Sequence, residues 1–264
     1  MSHIQFRDLS VSYRRPKSDE RFLAIDRISL DIERGSFVAV VGSSGCGKST
    51  LLLAAAGLVS LASGRVVIDA APVTGPGGHA AMVFQDASLL PWRSVLGNVR
   101  FGLEMRRWKR DDLTERALRH IRMVGLGDFA DYHPHQLSGG MRQRVNIARA
   151  LAVDPEVLLM DEPFGALDAQ TREVMGNELL RIWERDRKTA LFVTHDIEEA
   201  VFLADKVVVM GRDPGRIKDV VQVDLPRPRS PDMLDSETFV TIRRRLRESL
   251  AEDMASLRLV TEGV

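Results

Sequence analysis

Several short motifs in this sequence carry residue types suited to phosphate chemistry. Gly42-Ser43-Ser44-Gly45-Cys46-Gly47-Lys48-Ser49-Thr50 fits the spacing G-x-x-x-x-G-K-[ST], with the apolar run Phe37–Val41 before it and a helical pattern after it. The glycines let backbone N–H groups turn inward around phosphate oxygens, and the following helix adds the positive end of its dipole. Lys48 would reach the β- and γ-phosphates of a nucleotide, the Ser49 hydroxyl would bind Mg²⁺, and Thr50 would add a hydrogen bond nearby. Further on, Val157-Leu158-Leu159-Met160-Asp161-Glu162 sets two acids at the end of an apolar strand, where doubly wound sheets take their ligands. Asp161 suits coordination of Mg²⁺, and Glu162 suits a base that polarises an attacking water. His195 follows the apolar run Ala190–Thr194 and offers a donor to a γ-phosphate; on its own it reads rather as a capping or packed histidine, and the order of the motifs reverses that reading. The thiol of Cys46, beside Lys48 and a helix N-terminus, reads either as an alkylation site that bound nucleotide would shield or as a small spacer in the loop. His120, His133 and His135 read as packing residues, and their spacing fits no metal site.

The elements that must position these residues follow from apolar periodicity. Ile4/Phe6, Leu9/Val11/Tyr13 and Ile28/Leu30/Ile32 alternate as half-buried strands do. Phe37–Val41, Val157–Met160, Ala190–Thr194 and Lys206–Met210 are continuous apolar runs, the pattern of strands covered on both faces. A helix with Val174, Met175, Leu179, Ile182 and Trp183 on one face separates two of them. Strand alternating with helix predicts an α/β fold with a mostly parallel sheet and helices on both sides. The middle, from about Leu90 to Ala152, lacks strand patterns and reads as a helical insertion: Asp111–Val124 is one helix, and another runs from Gly139 and stops before Asp154-Pro155. After Asp213-Pro214-Gly215 comes a tail with Pro226, Pro228 and Pro231, then a helix with Phe239, Ile242, Leu246, Leu250 and Met254 on one side.

Composition narrows the function classes. Lys plus Arg and Asp plus Glu each number 37, so the formal net charge is zero, which gives no support to nucleic-acid binding. One cysteine excludes an internal disulfide and fits a reducing compartment. The start of the sequence lacks the basic-then-apolar layout of a signal peptide. The longest apolar stretch, Leu51–Ala62, is interrupted by Gly57 and Ser60 and falls short of the roughly 18 residues that span a bilayer. Any work at a membrane would therefore need another chain to cross it.

Leu137-Ser138-Gly139-Gly140-Met141, followed by Arg142-Gln143-Arg144, resembles the signature of the ATP-binding subunits of ABC transporters, with Met141 where Gln is more usual. Gln85 is similar to that family's Q-loop glutamine, Gly165-Ala166-Leu167-Asp168 to its D-loop, and His195 to its switch histidine. The resemblance covers nearly the whole chain. It implies a P-loop NTPase (RecA-like) core, an N-terminal antiparallel β-subdomain and a helical signature subdomain, in a single domain. On that basis residues 1–89 and 153–212 would be the catalytic core, 90–152 the helical subdomain and 213–264 a tail. It also implies ATP and Mg²⁺ as ligands, held by Gly42 to Thr50, Gln85, Asp161 and Asp168. Ser49, Gln85 and Asp161 would serve the metal, and Lys48, Gln85, Glu162 and His195 would act in hydrolysis. Ser138, Gly139 and Gly140 would face the nucleotide of a second copy in a head-to-tail homodimer. Tyr13 occupies the usual place of an aromatic ring stacked on adenine, with Phe22 as a competitor for that role and a plain strand position as the simpler alternative.

Three segments narrow the resemblance to the taurine, sulfonate and nitrate importers: Gln85-Asp86-Ala87-Ser88-Leu89-Leu90-Pro91-Trp92, the D-loop form, and Val223-Asp224-Leu225-Pro226-Arg227-Pro228-Arg229. Such a chain would sit peripherally on the cytoplasmic face of the inner membrane. Its partners would be transmembrane permease subunits and, indirectly, an extracytoplasmic substrate-binding protein. Leu89–Trp92 would be a socket for the permease or, alternatively, buried core. Arg243, Arg244, Arg245 and Arg247 read as a solvated helix face rather than a lipid patch. Two soluble ATPase classes share these motifs. A chromosome-maintenance ATPase needs a long coiled coil between phosphate loop and signature, and Lys48 and Leu137 are only 89 positions apart. A translation-factor ATPase usually carries two such cassettes on one chain. An exporter half remains open.

Overall fold

A computed structural model describes residues 2–15, 19–106, 110–165 and 167–261, and the side chains of all of these except 110, 111 and 252–261. Ala166 of the expected D-loop and the Met254 side chain lie outside the described residues. In chain order the elements begin β1 (Ser2–Arg14), β2 (Arg21–Glu33), β3 (Phe37–Gly42), α1 (Lys48–Ala55), β4 (Ser63–Ile68), β5 (Ala71–Pro72) and β6 (Ala80–Val83). Then come α2 (Val95–Met105), α3 (Arg110–Met123), α4 (Gly139–Ala152), β7 (Val157–Asp161), α5 (Ala169–Asp186) and β8 (Thr189–Val193). The chain closes with α6 (Ile197–Leu203), β9 (Lys206–Gly211), β10 (Arg216–Gln222) and α7 (Glu237–Thr261). These form two compact units, Met1–Gly77 with Thr189–Val264 and Gly78–Lys188.

The first unit holds a four-stranded antiparallel sheet in the order β2-β1-β4-β5. Ile4, Phe6, Leu9 and Val11 of β1 and Ile28, Leu30 and Ile32 of β2 are buried, as their alternation requires. The step from Phe6 to Leu9 breaks strict period two. A bulge there absorbs the extra residue, with Asp8 at φ 47°. The same unit contains β3 flanked by β8 and β9, both parallel to it, and every residue of β3 is buried. Helix α6 is the crossover from β8 to β9. Strand β10, antiparallel to β9, lies in the segment expected to be tail. Asp213-Pro214-Gly215 reads as a stop, yet here it turns a hairpin, and Ile217 and Val221 supply its inward residues. Phe239, Ile242 and Leu246 bury one face of α7, as its periodicity predicts.

The second unit pairs β6 and β7 in parallel, with Ala80 opposite Val157 and Val83 opposite Met160. Helices α2, α3 and α4 pack on one another within the insertion. Helix α4 buries Val145, Ile147, Ala148 and Leu151 and ends at Ala152, and beyond its cap residue Val153 the φ of 51° at Asp154 takes the left-handed turn before Pro155. In α5, Met175, Leu179, Ile182 and Trp183 are buried, but Val174 is 51% exposed. The expected apolar face was drawn one residue too wide: Met175 and Leu179 set the stripe, and Val174 lies one residue, about 100°, off it. Among the described residues no helix is long and apolar enough to cross a membrane.

Candidate nucleotide site

In the first unit, β3 runs straight into the phosphate loop. Gly45 (φ 81°) and Gly47 (φ 94°) adopt conformations that an L side chain resists, and a Cβ on Gly47 would collide with Ile25. Gly47 is also the N-cap of α1, with no side-chain cap on the helix. Lys48 is 6% exposed and donates to the carbonyls of Gly42 (2.9 Å) and Ser43 (3.2 Å), so its ammonium lies along the loop rather than out in solvent. The Ser43 Oγ is buried with no hydrogen-bond partner among the described residues. An orphaned hydroxyl, an uncapped helix start and an ammonium folded over left-handed glycines together fit an anion of phosphate type. Ser49 is exposed at the first turn of α1, and Thr50 Oγ1 accepts from the Tyr13 hydroxyl at 3.4 Å. Tyr13 stands opposite Phe22 across β1 and β2, ring centroids 5.8 Å apart, so both candidate stacking rings sit at the same end of the sheet, one of them tied to α1.

His195 belongs to this unit too. Val193 pairs with Val40, and the Thr194 N–H donates to the Val40 carbonyl, so His195 leaves β8 at the carboxyl edge where β3 enters the loop. The imidazole is exposed, and Asp196 rather than His195 caps α6, accepting from the N–H groups of Glu198 (2.8 Å) and Glu199 (3.2 Å). Cys46 is wholly buried, and a Cβ on Gly42 would lie 2.5 Å from its Sγ. That removes the expectation of a readily alkylated thiol: the sulfur fills space beneath the loop and reagents do not reach it.

In the second unit, Asp161 ends β7 and Glu162 follows at φ 42°. A left-handed backbone at a glutamate is strained, and such strain concentrates at functional positions. Both carboxylates are half-buried. The Gly165 N–H returns to the Glu162 carbonyl (3.0 Å), and a Cβ on Gly165 would lie 3.3 Å from Gln85 Nε2 and 3.6 Å from Glu162 Oε2. The missing side chain lets Gln85 and Glu162 approach the same turn. Asp168 caps α5, accepting from the Thr171 N–H at 2.9 Å, and that bond holds its carboxyl below the usual range. Ser138 caps α4: its Oγ accepts from the Met141 N–H at 3.2 Å, which leaves the hydroxyl proton to donate outward. Ser138 and Gly139 are exposed at that helix start. Gln85, Gly139, Arg142, Pro163 and Leu167 line one cleft of about 280 Å³.

Three polar residues of α4 hold this half together, and the motif reading takes in Gln143 but not Asn146 or Arg149. Gln143 and Asn146 donate to the carbonyl of Phe84, the residue before Gln85, and Arg149 donates to the carbonyls of Ala87 (2.9 Å) and Ser88 (3.0 Å). The available signal was polar residues at i and i+3 on the otherwise apolar face of α4. Trp92 is 72% exposed, so it is not a core tryptophan. The turn that presents it is pinned by buried Asn98, whose amide donates to the carbonyls of Leu90, Arg93 and Ser94. His120 is a packed residue: burial lowers its pKa, and its Nδ1 lies 2.9 Å from the Arg116 carbonyl oxygen. Three arginines of α7 form ion pairs among the described residues, Arg243 and Arg247 with Glu198 and Arg245 with Asp219.

Residues 25–165 match the ABC transporter family. An uncharacterized ABC transporter ATP-binding protein of Methanocaldococcus jannaschii is 49% identical over 234 residues, covering 89% of this chain and 86% of its own. The taurine import ATP-binding protein of Rhizobium johnstonii is 52% identical over 204 residues (77% and 78%), and the nitrate import ATP-binding protein of Synechocystis is 46% identical over 224 (85% and 84%). A solved ATP-binding cassette, dimeric and bound to ADP and phosphate after hydrolysis, superposes with a TM-score of 0.73 at 30% identity, covering 84% of this chain and all of its own. With its phosphate loop, strand-end acids and serine-capped glycine helix start, the chain belongs to the ABC transporter family as an ATP-binding, ATP-hydrolysing cassette.

Proposed function

We propose that this cassette energises uptake of a small anion, of the taurine, alkanesulfonate or nitrate type, through a separate membrane permease. The observation that carries the reading is the presence in one chain of two differently built anion-facing helix starts, Gly42–Thr50 and Ser138–Gly140. The relatives named for taurine and nitrate import support the cargo class, and the dimeric cassette supports a pair of chains. Two copies would associate head to tail, each nucleotide lying between the phosphate loop of one copy and Ser138–Gly140 of the other. The chain would work as a single domain, 1–89 and 153–212 forming the catalytic core, 90–152 the signature arm and 213–264 the tail.

The residues divide the work by chemistry. Gly42 to Gly47 and Thr50 bind phosphate oxygens, and Lys48 offsets charge on the β- and γ-phosphates. Ser49, Asp161 and Gln85 carry the hard oxygen donors that Mg²⁺ takes, and bound Mg²⁺ would neutralise phosphate charge. Glu162 accepts a proton from the attacking water, His195 donates to the γ-phosphate, and Asp168 fixes the turn that follows Glu162. Tyr13 offers a face to the base. Exposed Trp92 suits an aromatic anchor for a permease at the cytoplasmic face of the inner membrane, with an extracytoplasmic binding protein selecting the cargo.

The test uses Glu162→Gln. Turnover should fall about 100-fold or more while Mg-ATP still binds, and the purified chain should elute at twice its mass when ATP is present. Cells relying on that variant should lose uptake of one labelled anion among taurine, an alkanesulfonate and nitrate. Near-normal turnover would remove Glu162 from the mechanism, and unchanged uptake of all three anions would overturn the cargo class.

A further inference from the structure

Helix α6 is too short to hold itself. It has seven residues, and a helix of that length leaves its final carbonyls without an intrahelical donor. Here the final three are met by the tail. Arg229 Nη1 donates to the carbonyls of Val201 (3.0 Å) and Phe202 (2.7 Å), and Arg227 Nη2 donates to that of Leu203 (2.8 Å). Both guanidiniums sit at the negative end of the helix dipole, where a cation is favourable. Both are largely enclosed, Arg229 at 8% exposure and the Arg227 side chain at 10%. Arg227 also makes a two-pronged contact with Asp205 Oδ1 (2.9 and 2.7 Å), while Asp205 Oδ2 accepts from the N–H of Phe37, the first residue of β3 (2.9 Å). The tail therefore grips the far end of α6 and, through Asp205, the base of the strand that ends in the phosphate loop.

The near end of α6 is held as well. Arg243 of α7 donates to Glu198 Oε1 at 2.9 Å, and Arg247 lies 3.6 Å from the same atom. Glu198 stands three residues after His195. On either side of the histidine, the Thr194 hydroxyl donates to Glu199 (2.7 Å) and accepts from the Asp196 N–H (3.0 Å). His195 thus joins a fixed strand end to a helix start, and its position follows the register of α6. A shift of that helix by a fraction of its 1.5 Å rise per residue would displace the imidazole by a comparable amount.

We infer that Val223–Arg229 and helix α7 act as a frame for His195, with Arg227 and Arg229 as positioning residues that hold α6 in register. The inference rests on the proposed role of His195. A frame of this kind acts on turnover and leaves nucleotide binding alone, whereas mere glue for the fold would loosen both.

The experiment measures kcat, KM for Mg-ATP and melting temperature on the full chain carrying His195→Ala, Arg229→Ala, Arg229→Lys and the double variant His195→Ala/Arg229→Ala. Arg229→Ala should lower kcat about tenfold with KM changed less than twofold. Arg229→Lys, which keeps a cation and donors at the helix end, should recover most of the loss. In the His195→Ala background the Arg229 change should cost no further turnover. If the two losses multiply, or KM rises with the fall in kcat, the frame is wrong while His195 keeps its role. If His195→Ala turns over normally, the role of His195 fails and the frame falls with it. Should Arg229→Ala fail to fold, the exposed-end pair Arg243→Ala/Arg247→Ala gives the same decision. It should lower kcat two- to fivefold in the wild-type background and not in His195→Ala, and an unchanged kcat overturns the frame.

Discussion

The two glycine-bearing helix starts solve the same electrostatic problem in opposite ways. Helix α1 begins at Gly47 with no side-chain cap, beside a buried orphaned hydroxyl on Ser43 and a lysine folded back onto loop carbonyls. Helix α4 begins at Ser138 with its cap already made to Met141, and Gly139 lies open at the surface while Gly140 is half-buried. The first arrangement leaves polar groups that an anion would satisfy. The second is content by itself and offers only a flat, small-residue face with a hydroxyl proton to give. The difference fits the proposal that the first start is a site in its own right and that the second completes the site of a second copy.

The contrast can be broken at its strong end. Lys48→Ala should weaken Mg-ATP binding to the isolated chain by about 100-fold, the scale of losing charge-assisted hydrogen bonds in a buried setting. Isothermal titration measures it, and a change under fivefold would mean that the loop binds without its lysine. At the other start, Gly139→Val places its side chain on an open face, since an added Cβ would come no nearer than 3.8 Å to Arg142. Affinity for the first nucleotide should stay within twofold while turnover falls about tenfold, because only association of two copies suffers. If Gly139→Val weakens binding as much as Lys48→Ala, the two starts are not different in kind.

The smallest effect concerns the far end of α4. Asp154 follows that helix and accepts from Lys188 at 2.8 Å, with Arg116 at 3.8 Å. The Lys188 hydrogen bond, partly opposed by burial and aided by the charges of Lys188 and Arg116, holds its carboxyl below the ordinary 3.8. A carboxyl with a lowered folded pKa stabilises the fold above its unfolded pKa, and the contribution is lost as pH falls through the folded value. Asp154→Asn should therefore lower stability by about 0.5 kcal/mol near neutrality, the size of a mostly exposed ion pair. The gap between variant and wild-type melting should close as pH falls below the ordinary 3.8 and through the lowered folded value. A gap that widens on acidification would contradict the assignment.

Much of the site was legible because its chemistry is local. A phosphate loop needs left-handed glycines and a lysine at fixed spacing, and Gly45, Gly47 and Lys48 take up those conformations within a few residues of one another. The strand-end acids and the serine cap of α4 are equally local, and the continuous apolar run of β3 marks a strand covered on both faces. What periodicity could not decide was which groups meet across long separations. Cys46 looks reactive beside Lys48 and is instead covered by Gly42. Trp92 reads as either core or surface, and the exposed turn pinned by Asn98 decides for the surface. Arg243 and Arg247 look like a solvated basic face and are ion-paired to Glu198 across 45 and 49 positions. Val223–Arg229 reads as a proline-rich tail, and only the folded chain shows its arginines closing the end of α6. Side-chain type and short spacing fix what a residue can do with its neighbours. Which distant carbonyl, carboxylate or cavity it finds depends on packing, because burial and pairing are set by the whole enclosed volume rather than by the residues on either side.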